Sequence, residues 1–318
     1  MPDVSVVIPT HNRRRLLGQA VRSALGQVGV EVEVVVVDDG SSDGTADAVV
    51  SLGDDRVRLI RHRRPLGVAV ARNAGAGAAR GAWVALLDDD DLWAPDKLWR
   101  QLEAASAAEA GWVYAGVVEV DAEGRLLGGG PPPSPEELLA GLRRRNLMPA
   151  GSSNVVVRSD LLSESGGFDS RLRHLADWDL WLRLAGLGPP ACVPAPLVAY
   201  RLHHGQATLD TTGMLAEASA LEARHGANRT AVLRWAAWSH LRMGRRRAAL
   251  RAYAGAVLAG DVASLARAAV ALLHPRPSAV RRPSRPSATD AAWIAAGRRW
   301  LDESRGPQPR HRTPEAHG

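Results

Sequence analysis

The 318-residue sequence contains one cysteine, Cys192. A lone thiol excludes an intramolecular disulfide and a cysteine-built metal cage, and it suits a reducing compartment. Lysine is equally scarce: Lys97 is the only one, so nearly all the positive charge is arginine. Aromatic residues make up 4% and are mostly tryptophan. Neither zinc-finger spacing nor an aromatic–basic RNA signature is present, so nucleic acid is not expected as a partner. No apolar run approaches the roughly 18 residues that a membrane-spanning helix needs. The longest candidate, 248–270, is broken by Arg251, Asp261 and Arg267. Residues 1–15 carry charge early and lack the apolar stretch of a secretory leader. These absences predict a soluble, cytoplasmic protein.

Hydrophobic residues reach 46%, enough for a sizeable core, and the formal net charge is +6. Arginine, alanine and glycine run high together, as GC-rich coding alone would give. The sharper reading of the basicity is attraction to anionic lipid heads.

Residues 1–210 alternate strand and helix signals. Val4-Ser5-Val6-Val7-Ile8 is a β-branched run closed by Pro9, and 32–37 is nearly all valine. Weaker strand signals follow at 56–61 and 83–87, with helical spacing at 14–25, 45–52, 67–80 and 92–102. Further strands are expected at 112–120, 154–157 and 197–200, and a helix at 177–185. Such alternation predicts an α/β fold, a mostly parallel sheet flanked by helices, with ligands beyond the carboxyl ends of the strands. Residues 211–273 read as a small C-terminal helical extension. Its helices at 230–241 and 246–259, joined around Gly244, resemble one tetratricopeptide-like hairpin. The remaining 274–318 are rich in Arg and Pro and are expected to be a largely disordered tail with one short helical stretch at 291–301.

Five groups could carry chemistry. Asp88-Asp89-Asp90-Asp91 follows an apolar strand. Adjacent carboxylates repel, and a hard divalent cation relieves that repulsion; the alternative is a solvated helix cap. Asp38-Asp39-Gly40-Ser41 also follows a strand, where a carboxylate can accept from a pyrimidine ring N–H or a ribose hydroxyl; the alternative is an N-cap turn. Arg72 could pair with a diphosphate or lie on the surface. Asp177 could take a proton from an acceptor hydroxyl or serve the helix dipole. His203 and His204 could ligate a metal or form a polar loop.

In order along the chain, these segments resemble the family 2 glycosyltransferases of the GT-A fold. The resemblance is carried by Val6-Val7-Ile8-Pro9-Thr10-His11-Asn12-Arg13, Val37-Asp38-Asp39-Gly40-Ser41, and Ala71-Arg72-Asn73-Ala74-Gly75. It continues in Leu87-Asp88-Asp89-Asp90-Asp91-Leu92 and in Gly166-Gly167-Phe168-Asp169 with Asp177-Trp178-Asp179. It implies that Pro9, Thr10 and Asp39 hold the nucleoside and that Asp88 and Asp90 form the DxD pair. Asp90 would then be a ligand of Mg²⁺ or Mn²⁺, and Asp88 or Asp89 would reach the ribose or the metal's waters. Asp177 would be the general base, with Arg72 and His203 toward the diphosphate. Two departures stand out: the acid expected before the base is Ala176, and four acids fill the DxD segment.

The implied reaction is inverting transfer from a UDP- or dTDP-type sugar to a sugar or lipid-linked acceptor, as in cell-surface polysaccharide or glycolipid assembly. The basic tail would allow peripheral contact with the inner face of the membrane. Rival readings are a metal-dependent nucleotidyltransferase, whose Gly-rich phosphate loop is missing near Pro9, and a non-catalytic scaffold on a transferase fold.

Overall fold

The computed structural model describes residues 1–203, 211–242, 244–273 and 288–304. The strands are β1 (Val4–Thr10), β2 (Val32–Asp38), β3 (Val57–Arg61), β4 (Trp83–Leu86), β5 (Leu92–Trp93), β6 (Trp112–Val120), β7 (Leu126–Gly130), β8 (Val156–Arg158) and β9 (Ala191–Arg201). They form one sheet in the order β3-β2-β1-β4-β8-β6-β9-β5, with β7 paired to β6. The first four strands run parallel, as the valine runs predict. Beyond them, β8 lies antiparallel to both β4 and β6, and β6 pairs parallel with β9.

Each face of the sheet is covered. On one side Val4, Val6 and Ile8 of β1 meet α1 (Arg14–Leu25) and α4 (Lys97–Ala107) through Leu17, Val21 and Leu98. On the other, Val7, Val84 and Leu86 join a core that includes α3 (Val68–Ala78), α5 (Pro135–Leu142), α6 (Ser159–Glu164) and α7 (Ala176–Leu187). That second core continues into α8 (Thr211–His225) and α9 (Arg229–Arg242) through Met214, Leu221 and Val232. The extension proceeds with α10 (Arg246–Leu258) and α11 (Ala263–Leu273). A six-residue helix, α2 (Thr45–Val50), follows β2.

The structure departs from the sequence expectation in two places. The helix expected at 92–102 starts only at Lys97, after Pro95; Leu92 and Trp93 instead pair with Ala199 and Val198 of β9. The second departure lies in 274–318, expected to be largely disordered. Within it α12 (Ala288–Ser304) docks on β9 and β7. Trp293, Trp300 and Leu301 are buried in the first core. The Trp300 and Trp293 indole N–H groups donate to the Pro196 and Pro194 carbonyls at 2.7 and 3.1 Å. A Cβ on Gly297 would lie 2.6 Å from Val118 Cγ1, so this helix approaches the sheet closely. The short helical stretch expected at 291–301 forms the centre of this helix; its docking on the sheet was not expected. Residues 274–287 and 305–318 lie outside the described residues. Trp300→Ala is expected to cost about 3 kcal/mol in urea unfolding, the lower end for a buried Trp truncation.

Lys97 is fully buried. Its ammonium lies 3.9 Å from the centroid of Trp93 and donates to Gln101 Oε1 at 2.6 Å. Burial pushes its pKa well below the ordinary lysine value, against the pull of the indole face. Among the described residues no helix is long and apolar enough to cross a membrane.

Candidate active site

Parallel pairing of β1 with β2 and β4 brings Thr10, Asp38 and the residues after Leu86 to one edge. A cavity of about 380 Å³ opens there. Pro9, Thr10, Asp39 and Arg72 line it together with Asp88, Asp89, Asp90 and Asp177. The structure thus brings together residues drawn from five separate sequence segments.

The four aspartates have four different environments. Asp88, the most exposed, accepts from Arg72 Nη2 at 2.6 Å. Asp89 is buried and accepts from Thr10 Oγ1 at 2.7 Å and Arg13 Nη1 at 3.0 Å. Burial first, and the charge of Asp90 second, push its pKa up to about 7. Asp90 Oδ2 accepts from Arg13 and lies 2.9 Å from His203 Nε2. Burial alone would raise the Asp90 pKa; the His203 hydrogen bond and the Arg13 charge outweigh it and hold the carboxyl low. Asp91 turns inward and does not line the cavity. It accepts from Ser153 Oγ and from the Arg201 backbone N–H, so it ties the strand end to the loop before β8 and to β9.

Asp39 is held by a compact set of donors. His62 Nδ1 lies 2.7 Å from its Oδ1, and the Leu66 and Gly67 backbone N–H groups donate at 2.9 and 2.8 Å. Burial alone would raise the Asp39 pKa, but the His62 bond and the two backbone donors outweigh it and keep it below the ordinary range. Its carboxylate therefore shapes the 62–67 loop at the cavity mouth. Arg72 is buried, stacks over the Phe168 ring at 5.2 Å and points one guanidinium nitrogen at Asp88. Its Nε is buried with no partner.

Asp177 opens α7, half-buried, with Oδ1 accepting from the Trp178 N–H at 2.7 Å. Desolvation raises its pKa against the pull of Arg72. Gly151, at φ 49°, lies close by: a Cβ there would sit 3.2 Å from Asp177 Oδ2, and the left-handed backbone would strain any other residue.

Three contributors escaped the sequence reading. Arg13, in an arginine run that resembles surface, bridges Asp89 and Asp90. Ser153 links Asp88 and Asp91. Glu217 of α8 accepts from the backbone N–H groups of Arg173, His174 and Leu175 at 2.7, 2.9 and 2.9 Å, fixing the segment that leads into α7 and Asp177. Arg224 and His225 of the same helix grip the fully buried Asp179 at 3.2 and 2.9 Å. Glu217→Ala is expected to cost about 2 kcal/mol by stranding those donors. Hydrogen exchange should show lost protection at 173–175 while the β1 amides stay protected.

Among the described residues no three His, Cys, Asp or Glu side chains converge as a closed metal cage. The Asp90 Oδ2 and His203 Nε2 atoms, 2.9 Å apart, are nevertheless spaced as neighbouring ligands of one octahedral cation, for which ~2.1 Å bonds place adjacent ligands about 3 Å apart. The donor set fits an open Mg²⁺ or Mn²⁺ site completed by substrate oxygens and water.

The family model for glycosyl transferase family 2 matches residues 5–166, just over half of the chain. The chain belongs to glycosyl transferase family 2. A succinoglycan biosynthesis protein, ExoO of Rhizobium meliloti, is 38% identical over 217 residues, 64% of this chain and 61% of that protein. The Escherichia coli UDP-Glc:alpha-D-GlcNAc-diphosphoundecaprenol beta-1,3-glucosyltransferase WfgD is 35% identical over 99 residues, 31% of this chain and 39% of its own. The chain thus spans less than two thirds of the length of these relatives. Among solved structures, S. aureus TarS 1-349 in complex with UDP-GlcNAc superposes with a TM-score of 0.58 at 17% identity, covering 85% of this chain and 79% of that one. That likeness establishes the GT-A-type fold of this family 2 member.

Proposed function

We propose that this family 2 protein transfers a glycosyl group from a UDP- or dTDP-type sugar to a hydroxyl acceptor, with inversion, in polysaccharide or glycolipid assembly. One observation carries the reading. Asp177 lines the same cavity as the acidic run, near enough for Arg72 and Asp88 to act on its charge. A base on one side and an anion-holding edge on the other are what a single displacement at an anomeric carbon requires. The relatives support the donor and pathway class: WfgD is named for UDP-Glc and a diphospholipid acceptor, and TarS was solved with UDP-GlcNAc.

In this reading Pro9, Thr10 and the loop held by Asp39 receive the nucleoside. Asp90 and His203 hold Mg²⁺ or Mn²⁺, with Asp88 and Asp89 toward its waters or the ribose. When bound, the cation neutralises charge on the departing diphosphate. Arg13 and Arg72 supply further positive charge at the same edge. Asp177 accepts the acceptor's proton. Any peripheral contact with an anionic membrane face would involve the exposed Arg298 and Arg299 of α12.

The test is a nucleotide-sugar panel read by thermal shift with Mn²⁺, followed by incubation with the stabilising radiolabelled donor. A donor present at 100 times its Kd stabilises the fold by about 2.7 kcal/mol. Release of nucleoside diphosphate, by transfer or hydrolysis, is expected. Pyrophosphate release from a nucleoside triphosphate would favour the nucleotidyltransferase reading, and neither reaction would favour a scaffold.

A further inference from the structure

A second cavity of about 790 Å³ adjoins the first. Gly151, His174, Asp177 and Tyr200 line both, so Asp177 stands at their junction. The far wall of the second cavity is the helical extension. Ala231, Val232, Arg234, Trp235 and Trp238 of α9 turn one helical face to it. Trp235 is 40% exposed and Trp238 46%, unlike Trp93, Trp112, Trp178 and Trp181, which are fully buried in the catalytic domain. Partly exposed indole surface in the cavity that Asp177 lines offers a platform for an apolar sugar face.

The charge lining this cavity is mostly positive. Arg145, Arg234 and Arg267 line the cavity, and among the described residues Asp177 is its one acidic lining residue. Asp261 neutralises only part of the charge, sharing its carboxylate between Arg234 at 2.9 Å and Arg267 at 3.6 Å. Arg145 is exposed beside Asn146, which reaches toward Asp177 Oδ2 at 3.4 Å.

We infer that this second cavity is the acceptor site, and that it takes a glycan bearing an anionic group, a diphosphate or a carboxylate, with its sugar on Trp235 and Trp238 and its charge on the arginines. The inference rests on the transferase reading and deepens it. A volume near 800 Å³ lies in the range of built ligand sites. The acceptor hydroxyl would then approach the anomeric carbon from the side of Asp177, with the nucleoside diphosphate leaving from the opposite face, as inversion demands.

Calorimetry on the full chain tests this with three probes. They are a neutral β-linked disaccharide, the same disaccharide with one uronate, and the same disaccharide carrying a short prenyl diphosphate. At least one anionic probe is expected to bind about ten-fold tighter than the neutral one, the factor a charge-assisted hydrogen bond supplies. Preference for the uronate or for the diphosphate identifies the source of the anion. Arg145→Ala with Arg267→Ala should erase that preference, and Trp235→Ala with Trp238→Ala should weaken all three probes. UDP binding with Mn²⁺ should be unchanged in both double variants, which also reports that they fold. Equal binding of neutral and anionic probes, a preference that survives the arginine variants, or no probe binding to protein that binds UDP overturns the inference. If the wild-type protein binds no nucleotide either, the transferase reading itself fails.

Discussion

Asp177→Asn is expected to lower transfer by at least about 10³-fold, within the range for removal of a positioned general base. Nucleotide affinity should stay within about two-fold, because the carboxylate serves the acceptor side of the cavity and general acid–base loss falls on kcat. The pH profile should carry the same signature. The base works deprotonated, and its folded-state pKa is raised by desolvation. The acid limb of kcat should therefore lie above the ordinary Asp value of about 3.9, with rate lost as pH falls through the raised pKa. The raised pKa also means that the ionised form is disfavoured by folding near neutral pH. The Asn variant should accordingly melt at or above the wild-type temperature. Full transfer by this variant, or a rate that rises as pH falls, would remove Asp177 from the role.

Asp90→Ala should abolish the enhancement of UDP binding by Mn²⁺, a loss of at least about 100-fold in metal affinity, more than outer-shell partners usually cost. Calorimetry with and without Mn²⁺ separates this from damage to the nucleotide site. Binding of UDP in the absence of metal should change little, because Asp39 and the loop at 62–67 are untouched. The side chains that Asp90 holds give a second check: Arg13 and His203 both meet its Oδ2. In Asp90→Ala the His203 imidazole loses that carboxylate, so its ring NMR resonances should shift relative to wild type. Persistence of the Mn²⁺ effect would place the ligand elsewhere in the run.

Much of the catalytic domain was legible because its elements are locally consistent. The helix bounds 14–25 and the strand bounds 112–120 coincide with α1 and β6. Valine runs do not admit another reading when helical signals separate them, and polar turns after parallel strands must share an edge. What the four aspartates do was not legible. They are chemically identical neighbours, and partners 16 to 113 residues away, Arg72 for Asp88, Thr10 for Asp89, His203 for Asp90 and Ser153 for Asp91, tell them apart. The same holds for Glu217, whose backbone donors lie 42 to 44 residues earlier, in a segment with no motif of its own. Residues 92–93 misled for the opposite reason: a local helical pattern was overridden by two pairings with β9.

The docking of α12 changes how the helical extension should be regarded. The chain leaves the sheet at Arg201 and, after α8 to α11, returns to the same strand with α12. Relative to the sheet the extension is an insert anchored at both ends, not an appendage. A truncation after residue 273 would strip Trp293 and Trp300 from the core and unsettle the sheet as well as the tail. An exchange of residues 211–273 for the corresponding insert of another family member, with α12 kept, should preserve the nucleotide edge and replace the wall that faces the acceptor. On the proposed reading, the fold would then separate a nucleotide-holding edge from a cassette in which acceptor choice can diverge.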